Sequence, residues 1–316
     1  MSAPRADGHH WESAYHAPVL AAEVVASFSN AHRVLDGTLG GGGHALALLE
    51  GGAEVDAIDR DPEAVAAARE RLEPFERDGR FRAHSGNFAF PERIPALAGA
   101  RFDGILLDLG ISSHQIDDPG RGFSFREGAP LDMRMGDDKV ASAAELLGSA
   151  DERELARIFR EYGDERRAFR LAREIVRRRS NRPFETADDL VGAIRAVLGP
   201  RSGPSEFARL FQAVRIAVND ELASLERGLP VLRDMLEPGG VLAVIAYHSG
   251  EDRIVKNAMR EWSAACVCPP RQLVCTCRGR PLGELVHKKA VTAGPEEQAR
   301  NPRSRSARLR AWRSAR

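Results

Sequence analysis

The sequence predicts an α/β fold, and three features of the chain support this. Strand-like and helix-like patterns alternate through the first half, which is typical of a parallel sheet wrapped by helices. An apolar run turns directly into the glycines of Gly40–Gly43. After the fourth predicted strand, about 130 mostly helical residues precede the fifth, where a crossover needs only a short connection. We therefore expect a Rossmann-like sheet with an inserted all-helical subdomain.

The first half of the chain supplies four of the predicted strands. They cover residues 33–36, 54–58, 80–84 and 103–109, and helices are expected at 43–50, 61–73 and 91–98. Asp61 before Pro62 fits a helix start, because a carboxylate caps well and proline suits the first helical position. A fifth strand is predicted at 240–246, after a turn at Glu237–Gly240.

The long segment between the fourth and fifth strands is predicted to be helical. Its expected helices cover residues 142–147, 151–162, 165–179, 186–197 and 206–227, with start signals at Ser149 and Thr186. We expect a sheet domain formed by 1–135 and 206–316 and an inserted domain formed by 136–205. Ligands of open α/β sheets bind at the carboxyl ends of the strands. The insert, which follows the strand ending at Asp108, is therefore expected to cover the site and grip a substrate.

The composition indicates a globular protein of the cytoplasm. Hydrophobic residues make up 43% of the chain, no apolar run reaches the roughly 18 residues of a membrane span, and Met1–Arg5 lacks the apolar core of a signal peptide. Lys+Arg and Asp+Glu balance at 46 each, but arginine is concentrated at 151–182 and 300–316. These segments could hold nucleic-acid phosphates, or they could be a solvated helix face and a frayed tail.

The glycine run indicates a nucleotide-type cofactor site. Glycine accepts positive φ and lets the backbone approach a ligand, and a helical pattern begins just beyond it at His44. An isolated run of this kind could also be a tight turn. Asp59, which closes the second predicted strand nineteen residues after Gly40, has roughly the spacing at which a carboxylate accepts hydrogen bonds from a ribose.

Polar residues after the fourth and fifth strands are candidates for catalysis. Asp108, Ser112 and Ser113 could accept hydrogen bonds from an aromatic amine during alkylation, which localises the nitrogen lone pair and gives roughly 10²–10⁴ in rate. The alternative is a strand-end aspartate that caps a turn together with Ser112 and Ser113. His248 and Ser249 follow the fifth strand and could touch a substrate base, although a single histidine is often structural.

Two loops and one helix are candidates for nucleic-acid contact. Arg121–Arg126 and Leu131–Met135 combine arginines with the rings of Phe123 and Phe125, which suits phosphates and stacked bases of a single strand. The same rings could equally pack into a core. The helix predicted at Phe211–Leu222 leaves Asn219 on its polar face.

The cysteines form one cluster in the sequence. A disulfide is not expected in the cytoplasm, and four thiolates within twelve residues could hold a tetrahedral structural zinc ion. The C-x-C spacing is tighter than usual, so a metal-free loop remains the alternative, and no catalytic metal is expected. The cluster consists of Cys266, Cys268, Cys275 and Cys277.

Together these segments resemble the bacterial family of small-subunit rRNA cytosine-N4 methyltransferases, which use S-adenosylmethionine. The similarity runs from His16–Leu20 to Asn301–Leu309. It is carried by Asp36–His44, Asp108–Ser113, Arg121–Arg126, Leu131–Met135, Phe211–Leu222 and His248–Lys256. The resemblance implies a seven-strand-type methyltransferase domain with an inserted helical RNA-recognition domain. It also implies the target, N4 of cytosine 1402 in the decoding region of 16S rRNA.

The resemblance also implies roles for individual residues. The cofactor loop would consist of Gly41, Gly42, Gly43 and His44, with Asp59 on the ribose, Phe88 on the adenine, and Asp108 and Gln115 near the methionine portion. Contacts with the RNA are expected from Phe123, Phe125, Arg134, Asn219 and Ser249, and catalysis from Asp108 with Ser112, Ser113 and His248.

The chain departs from the family pattern near two of these sites. The family usually has Ser-Phe-His-Ser-Leu-Glu-Asp where this chain has Ala246-Tyr-His-Ser-Gly-Glu-Asp252, and His114 stands where proline is common. Gly250 in place of leucine is expected to loosen a helix start, which makes the roles of His248 and Ser249 less secure. Tyr247 in place of phenylalanine is a mild change.

Three other functions remain open at this point. A nicotinamide-dependent dehydrogenase would need a G-x-G-x-x-G loop, whose spacing Leu39–His44 lacks. An RNA-binding protein with an inactive cofactor fold and a methyltransferase acting on a DNA amino group are the others. The sequence leaves open whether free RNA or an assembled subunit is the acceptor, and whether the protein is a monomer or a homodimer.

Overall fold

The computed structural model describes residues 11, 18–136, 140–269, 272 and 274–315. The chain forms two compact units, one from residues 1–110 and 222–316 and the other from 111–221. Its helices are α1 (Ala21–Ser27), α2 (Gly43–Glu50), α3 (Pro62–Arg71), α4 (Glu73–Arg77), α5 (Ser113–Asp117), α6 (Ala143–Ser149), α7 (Glu152–Glu161), α8 (Ala168–Arg179), α9 (Ala187–Leu198), α10 (Pro204–Asn219), α11 (Glu221–Asp234), α12 (Ser249–Ser263) and α13 (Pro295–Arg300). None of the described helices is long and apolar enough to cross a membrane.

The first unit contains a seven-stranded sheet. Its strands are β1 (Arg33–Asp36), β2 (Glu54–Asp59), β3 (Phe81–Ser85), β4 (Phe102–Asp108), β5 (Leu236–Ala246), β6 (Gly283–Leu285) and β7 (Arg308–Ser314), in the order β3-β2-β1-β4-β5-β7-β6. The first five are parallel, and β7 is antiparallel to both β5 and β6. Residues 105–107 of β4 are fully buried, as expected of a strand covered on both faces. The predicted α/β fold is confirmed.

Helices flank the sheet largely where the sequence predicts them. Asp61 caps α3, because its Oδ1 accepts a hydrogen bond from the amide of Glu63 at 3.1 Å. The helix predicted at 91–98 is wrong, since Pro91–Arg93 and Pro95–Leu97 form two separate 3₁₀ turns. Proline disfavours helical geometry in the residue before it, and Ile94, which precedes Pro95, is extended.

The end of the chain is a strand of the sheet, so the frayed tail considered above is wrong for residues 308–314. Trp312 of β7 is fully buried. It stacks edge-on against Trp262 at 5.3 Å between ring centroids, and its Nε1 donates to Ser263 Oγ at 3.1 Å. Arg310 is paired with Asp252 at 2.7 Å. These residues therefore build the antiparallel edge of the sheet.

The second unit is helical, with a core of its own. Apolar faces of α7, α8, α9 and α10 meet there, and Phe123, Leu131 and Met133 pack into the same cluster. The unit therefore contains the expected insert of 136–205 together with 111–135 and 206–221. The single helix predicted at 206–227 is wrong, because Asp220 has φ of 51° and ends α10 before α11 begins.

Candidate active site

The candidate site of the first unit lies at the carboxyl ends of its central parallel strands. β2, β1, β4 and β5 are consecutive neighbours, so their carboxyl ends meet at one edge of the sheet. β2 ends at Asp59, β1 at Asp36 and β4 at Asp108, and Tyr247 directly follows β5. The topology therefore collects three carboxylates and one phenol.

The glycine loop is tied to the first of these carboxylates. Gly40 and Gly42 have φ of 49° and 73°, which is the left-handed region that glycine adopts without strain. The amide of Gly40 donates to Asp59 Oδ2 at 2.7 Å, and the amide of Asp61 donates to Oδ1 at 2.9 Å. Burial raises the pKa of Asp59 despite these hydrogen bonds. The glycine loop and Asp59 are therefore in direct contact.

Asp36 is the most deeply buried of the three carboxylates at this edge. It is 1% exposed, and its Oδ1 accepts a hydrogen bond from the amide of Thr38 at 3.1 Å. Within the described part of the chain, its Oδ2 has no hydrogen-bond partner. Burial raises the pKa of Asp36 to about 7, and the negative charges of Asp108 and Asp59 add to this shift. A cationic ligand would relieve this unfavourable arrangement.

Asp108 is oriented by several groups around it. Its amide donates to Thr38 Oγ1 at 2.6 Å, and its Oδ1 accepts from the Tyr247 hydroxyl at 2.8 Å. His44 Nδ1 lies 3.5 Å from its Oδ2. Burial, followed by the charge of Asp108, raises the pKa of Tyr247 well above its usual value, so the phenol keeps its proton and donates.

His44 is the second residue of α2 and lies between the glycine loop and Asp108. The imidazole is 5% exposed, and its Nε2 lies 2.9 Å from the carbonyl oxygen of Val19. A carbonyl only accepts hydrogen bonds, so Nε2 carries a hydrogen and Nδ1 is the nitrogen that faces Asp108. The contact of His44 with Asp108 is a finding that the sequence did not predict.

His248 and Ser249 begin α12. Nδ1 of His248 accepts from the amide of Gly250 at 3.2 Å, and Glu251 Oε2 accepts from the amide of His248 at 3.2 Å. The helix start is therefore fully capped, and the expectation that Gly250 loosens it is wrong. A Cβ at Gly250 would lie 3.0 Å from the His248 ring, so glycine leaves room for this cap. Ser249 is exposed.

Phe88 follows β3 at the same edge of the sheet. Its ring packs against α11, where a Cβ at Gly228 would lie 2.9 Å from a ring carbon. Gly37, just past β1, is similarly close, because a Cβ there would lie 3.3 Å from Phe88 Cβ. The half-buried ring is thus held beside the strand ends.

Several predicted site residues of the second unit form hydrogen bonds with the backbone near them. Ser112 and Gln115 cap α5 reciprocally, each accepting from the amide of the other at 3.1 Å, which is the turn-capping role that the sequence left open for Ser112. The side chain of Ser113 lies outside the described part of the structure. Asn219 is 1% exposed and clamps a loop, since it donates to the Met133 carbonyl at 2.7 Å and accepts from the Met135 amide at 2.9 Å.

The proposed stacking rings, Phe123 and Phe125, differ in exposure. Phe123 is 8% exposed and belongs to the helical core, which was the alternative that the sequence left open for it. Phe125 is 37% exposed, and its ring meets Phe211 edge-on at 6.0 Å. Arg134 is half-exposed and paired with Asp132 at 2.6 Å.

Sequence reasoning missed two features. Tyr247 contributes its hydroxyl to Asp108, a contact between residues 139 positions apart that no local pattern signals. In the second unit, the Arg160 guanidinium lies 4.7 Å from the ring centroid of Phe169, which is 45% exposed. An exposed aromatic ring within the arginine-rich segment 151–182 is a signal that could have been read from the sequence.

The four cysteines come together in the loop between α12 and β6. Their sulfur atoms all lie within 4.8 Å of one another. The measured Sγ–Sγ distances are 3.8 Å for Cys266–Cys275, 3.9 Å for Cys268–Cys275, 3.5 Å for Cys275–Cys277 and 3.8 Å for Cys266–Cys277. This is the one group of potential metal ligands of its kind among the described residues.

Comparison with known proteins gives a consistent result. A sequence model of the MraW methylase family matches residues 13–315. A protein of Gemmatimonas aurantiaca, called ribosomal RNA small subunit methyltransferase H, is 66% identical, and the match covers 95% of this chain and 96% of the relative. Proteins of the same name from Heliobacterium modesticaldum and Heliobacterium mobile are 45% and 44% identical, with 94% of this chain and 97% of each relative covered. This chain therefore belongs to the MraW methylase family.

Proposed function

We propose that the protein transfers a methyl group from S-adenosylmethionine to the exocyclic N4 of cytosine 1402 in the decoding region of 16S rRNA, in the cytoplasm. The observation that carries the proposal is the acid-lined edge where Asp108 is held beside the glycine loop. The name of the relatives, ribosomal RNA small subunit methyltransferase H, supports the substrate class.

The residues of the edge fit S-adenosylmethionine chemically. The molecule carries a positive sulfonium and an ammonium group, which suit a crevice with three carboxylates. Asp36 Oδ2, which has no hydrogen-bond partner among the described residues, would accept from the ammonium group. Asp59 would accept hydrogen bonds from the ribose hydroxyls, and Phe88 would pack against the adenine. The glycine loop would let the protein backbone come close to the cofactor. Gly41, Gly42, Gly43 and His44 would line the cofactor loop, and Asp108 and Gln115 would lie near the methionine portion.

Bound S-adenosylmethionine supplies a methyl group activated by the positive sulfur. The N4–carbon bond forms as the carbon–sulfur bond breaks, and N4 then loses one proton to water. Asp108 would accept a hydrogen bond from the amino group, which localises the nitrogen lone pair. Alignment of the two reactants accounts for most of the remaining acceleration. Ser112 and Ser113, which follow Asp108 closely in the chain, are proposed as secondary acceptors.

The target cytosine must be unpaired or flipped out, because its N4 otherwise faces its pairing partner. We propose Phe125 and Arg134 for RNA contact, with Ser249 close to the base. For His248, whose Nδ1 caps α12, the proposed role is to position this turn. Phe123 and Asn219 would act indirectly, by holding the RNA-binding loops.

The exposed face of α7 and α8 is a second proposed contact with RNA. On this face Arg160 lies over the ring of Phe169. Arg166 and Arg170, which are close to Phe169 in the sequence, are also exposed. Replacing Arg166 and Arg170 by alanine should weaken RNA binding about tenfold and reduce its salt dependence. Arg177→Ala is the matched control, because this guanidinium is already paired with Glu174 at 2.7 Å.

The test of the reaction is methyl incorporation into three acceptors: free 16S rRNA, small ribosomal subunits, and DNA of the target sequence. We expect transfer to one or both RNA acceptors and none to DNA. Asp78→Asn, an exposed change in the same unit, serves as the control for variants of Asp108. Transfer to DNA, or tight binding of a nicotinamide dinucleotide in place of S-adenosylmethionine by calorimetry, would contradict the proposal.

We also propose that Cys266, Cys268, Cys275 and Cys277 hold a structural zinc ion. In a tetrahedral site with zinc–sulfur bonds of about 2.3 Å, the sulfur atoms are about 3.8 Å apart. The measured distances of 3.5 to 3.9 Å match this edge length. The amide of Val267 donates to Cys277 Sγ at 3.4 Å, an interaction that stabilises thiolate charge.

The surroundings of the cluster indicate a structural role for the metal. Its loop follows α12 and leads to β6, at the antiparallel edge of the sheet. Arg278, just beyond the last cysteine, donates to the carbonyl of Ala264 at 3.2 Å, which closes the base of the loop. We expect about one zinc per chain by elemental analysis, and thiolate-to-metal absorption after cobalt substitution. Metal-free protein that also fails to take up cobalt would contradict the site.

A further inference from the structure

We propose that Tyr247 is a positioning residue for methyl transfer, whose hydroxyl holds the Asp108 carboxylate in the orientation that receives the substrate amino group. The inference rests on the role proposed for Asp108 and adds a residue to that site.

Hydrogen bonds hold Tyr247 at its hydroxyl and at its backbone amide. Its hydroxyl donates to Asp108 Oδ1 at 2.8 Å, and its backbone amide donates to Glu251 Oε2 at 2.8 Å. The ring lies against Gly110, where a Cβ would be 3.4 Å from a ring carbon. A phenol anchored in this way offers its hydrogen in one direction, and that direction is Asp108.

The carboxylate that Tyr247 holds is constrained from a second side. Oδ2 of Asp108 faces His44 Nδ1 at 3.5 Å, while the other imidazole nitrogen is engaged with the Val19 carbonyl. The Asp108 side chain is only 9% exposed, so little water is present to replace a lost donor. Anchoring Oδ1 therefore sets the plane of the carboxylate, and with it the direction in which a hydrogen bond from an amine is accepted.

Removal of the hydroxyl is a clean perturbation at this position. Phenylalanine keeps the ring and its packing. The carboxylate loses a donor to its charged form, and a hydrogen bond of this type accounts for about tenfold in rate.

The decisive experiment is a double-mutant cycle with Tyr247→Phe and Asp108→Asn. We expect Tyr247→Phe alone to lower kcat on small-subunit RNA about tenfold, with KM for S-adenosylmethionine changed less than about twofold. In the Asp108→Asn background, Tyr247→Phe should have no further effect. Tyr162→Phe, which removes a phenol in the helical unit, is the control and should keep normal kinetics.

The split between kcat and KM gives a readout that a purely structural role would not produce. Misorientation of the Asp108 carboxylate slows the chemical step at saturating S-adenosylmethionine, whereas a general loosening of the site also raises KM.

The outcomes separate this inference from the proposed function. A slow Asp108→Asn variant combined with an unimpaired Tyr247→Phe variant overturns the inference alone. An equal fold-loss from Tyr247→Phe in both backgrounds overturns it too, since the tyrosine then acts independently of Asp108. Normal turnover of Asp108→Asn overturns the role of Asp108 and this inference with it.

Discussion

In the first unit, the polar groups at the carboxyl ends of the parallel strands differ from those at the antiparallel edge of the sheet. At the carboxyl ends of β1 and β2, Asp36 and Asp59 have raised pKa values, and Asp36 Oδ2 has no hydrogen-bond partner among the described residues. At the antiparallel edge, polar groups are paired, as in Arg310 with Asp252 and Trp312 with Ser263. Unfavourable electrostatics concentrate at functional sites. The first region is thus arranged for a ligand, and the second stabilises the fold.

The largest effect should come from removing the carboxylate of Asp108. Asp108→Ala is expected to lower kcat by about 10²–10³, because the amino group loses its hydrogen-bond acceptor. S-adenosylmethionine affinity should change only a few-fold. Single-turnover methyl incorporation and calorimetry measure the two quantities. Near-normal turnover with intact donor binding would show that the carboxylate has no part in the chemistry.

Replacing Asp59 should weaken the binding of S-adenosylmethionine and leave the rate of methyl transfer nearly unchanged. Asp59→Ala removes the proposed ribose acceptor and the partner of the Gly40 amide, so Kd for S-adenosylmethionine is expected to rise about 30-fold. At saturating donor, kcat should stay within a few-fold of normal. Calorimetric titration decides, and an unchanged Kd would remove Asp59 from the donor site.

The cysteine loop should show the reverse pattern, with stability affected and catalysis preserved. Cys275→Ser removes one proposed metal ligand and is expected to lower the free energy of unfolding by about 1–3 kcal/mol, with loss of bound zinc. At 25 °C, kcat should be close to normal. Thr276→Ser, a change inside the same loop, is the control. A large loss of kcat in stably folded Cys275→Ser protein would place the cluster in the catalytic region.

The smallest effect is the pH dependence caused by Asp36. Its folded pKa of about 7 lies above the ordinary value of 3.8, so the folded state binds more protons between these values and stability falls as pH rises through this range. Asp36→Asn should therefore raise the free energy of unfolding by about 1 kcal/mol at pH 8, with part of the gain lost to the buried amide. At pH 4 the gain should vanish. Thermal unfolding measures it, and an equal effect at both pH values would contradict the raised pKa.

The sequence predicted the positions of the strand-end carboxylates better than the rest of the molecule. Strand-end carboxylates such as Asp59 and Asp108 can be located from local patterns, because parallel topology then brings them to one edge. Local patterns also mark the glycine loop and the cysteine cluster.

The features that sequence reasoning missed depend on distant partners or on single backbone angles. β7 is a strand because β5 and β6 pair with it, whereas its arginines suggest a solvated tail. The break between α10 and α11 depends on the left-handed backbone of Asp220. The hydrogen bond from Tyr247 to Asp108 joins two strand ends that are far apart in sequence.

The most direct test of the central claim is mass spectrometry of 16S rRNA after incubation with purified protein and isotopically labelled S-adenosylmethionine. The acid-lined edge, acting on an extruded cytosine, predicts one labelled methyl group on N4 of cytosine 1402. A label on another atom or nucleotide, or no label with protein that binds the donor, would contradict the account.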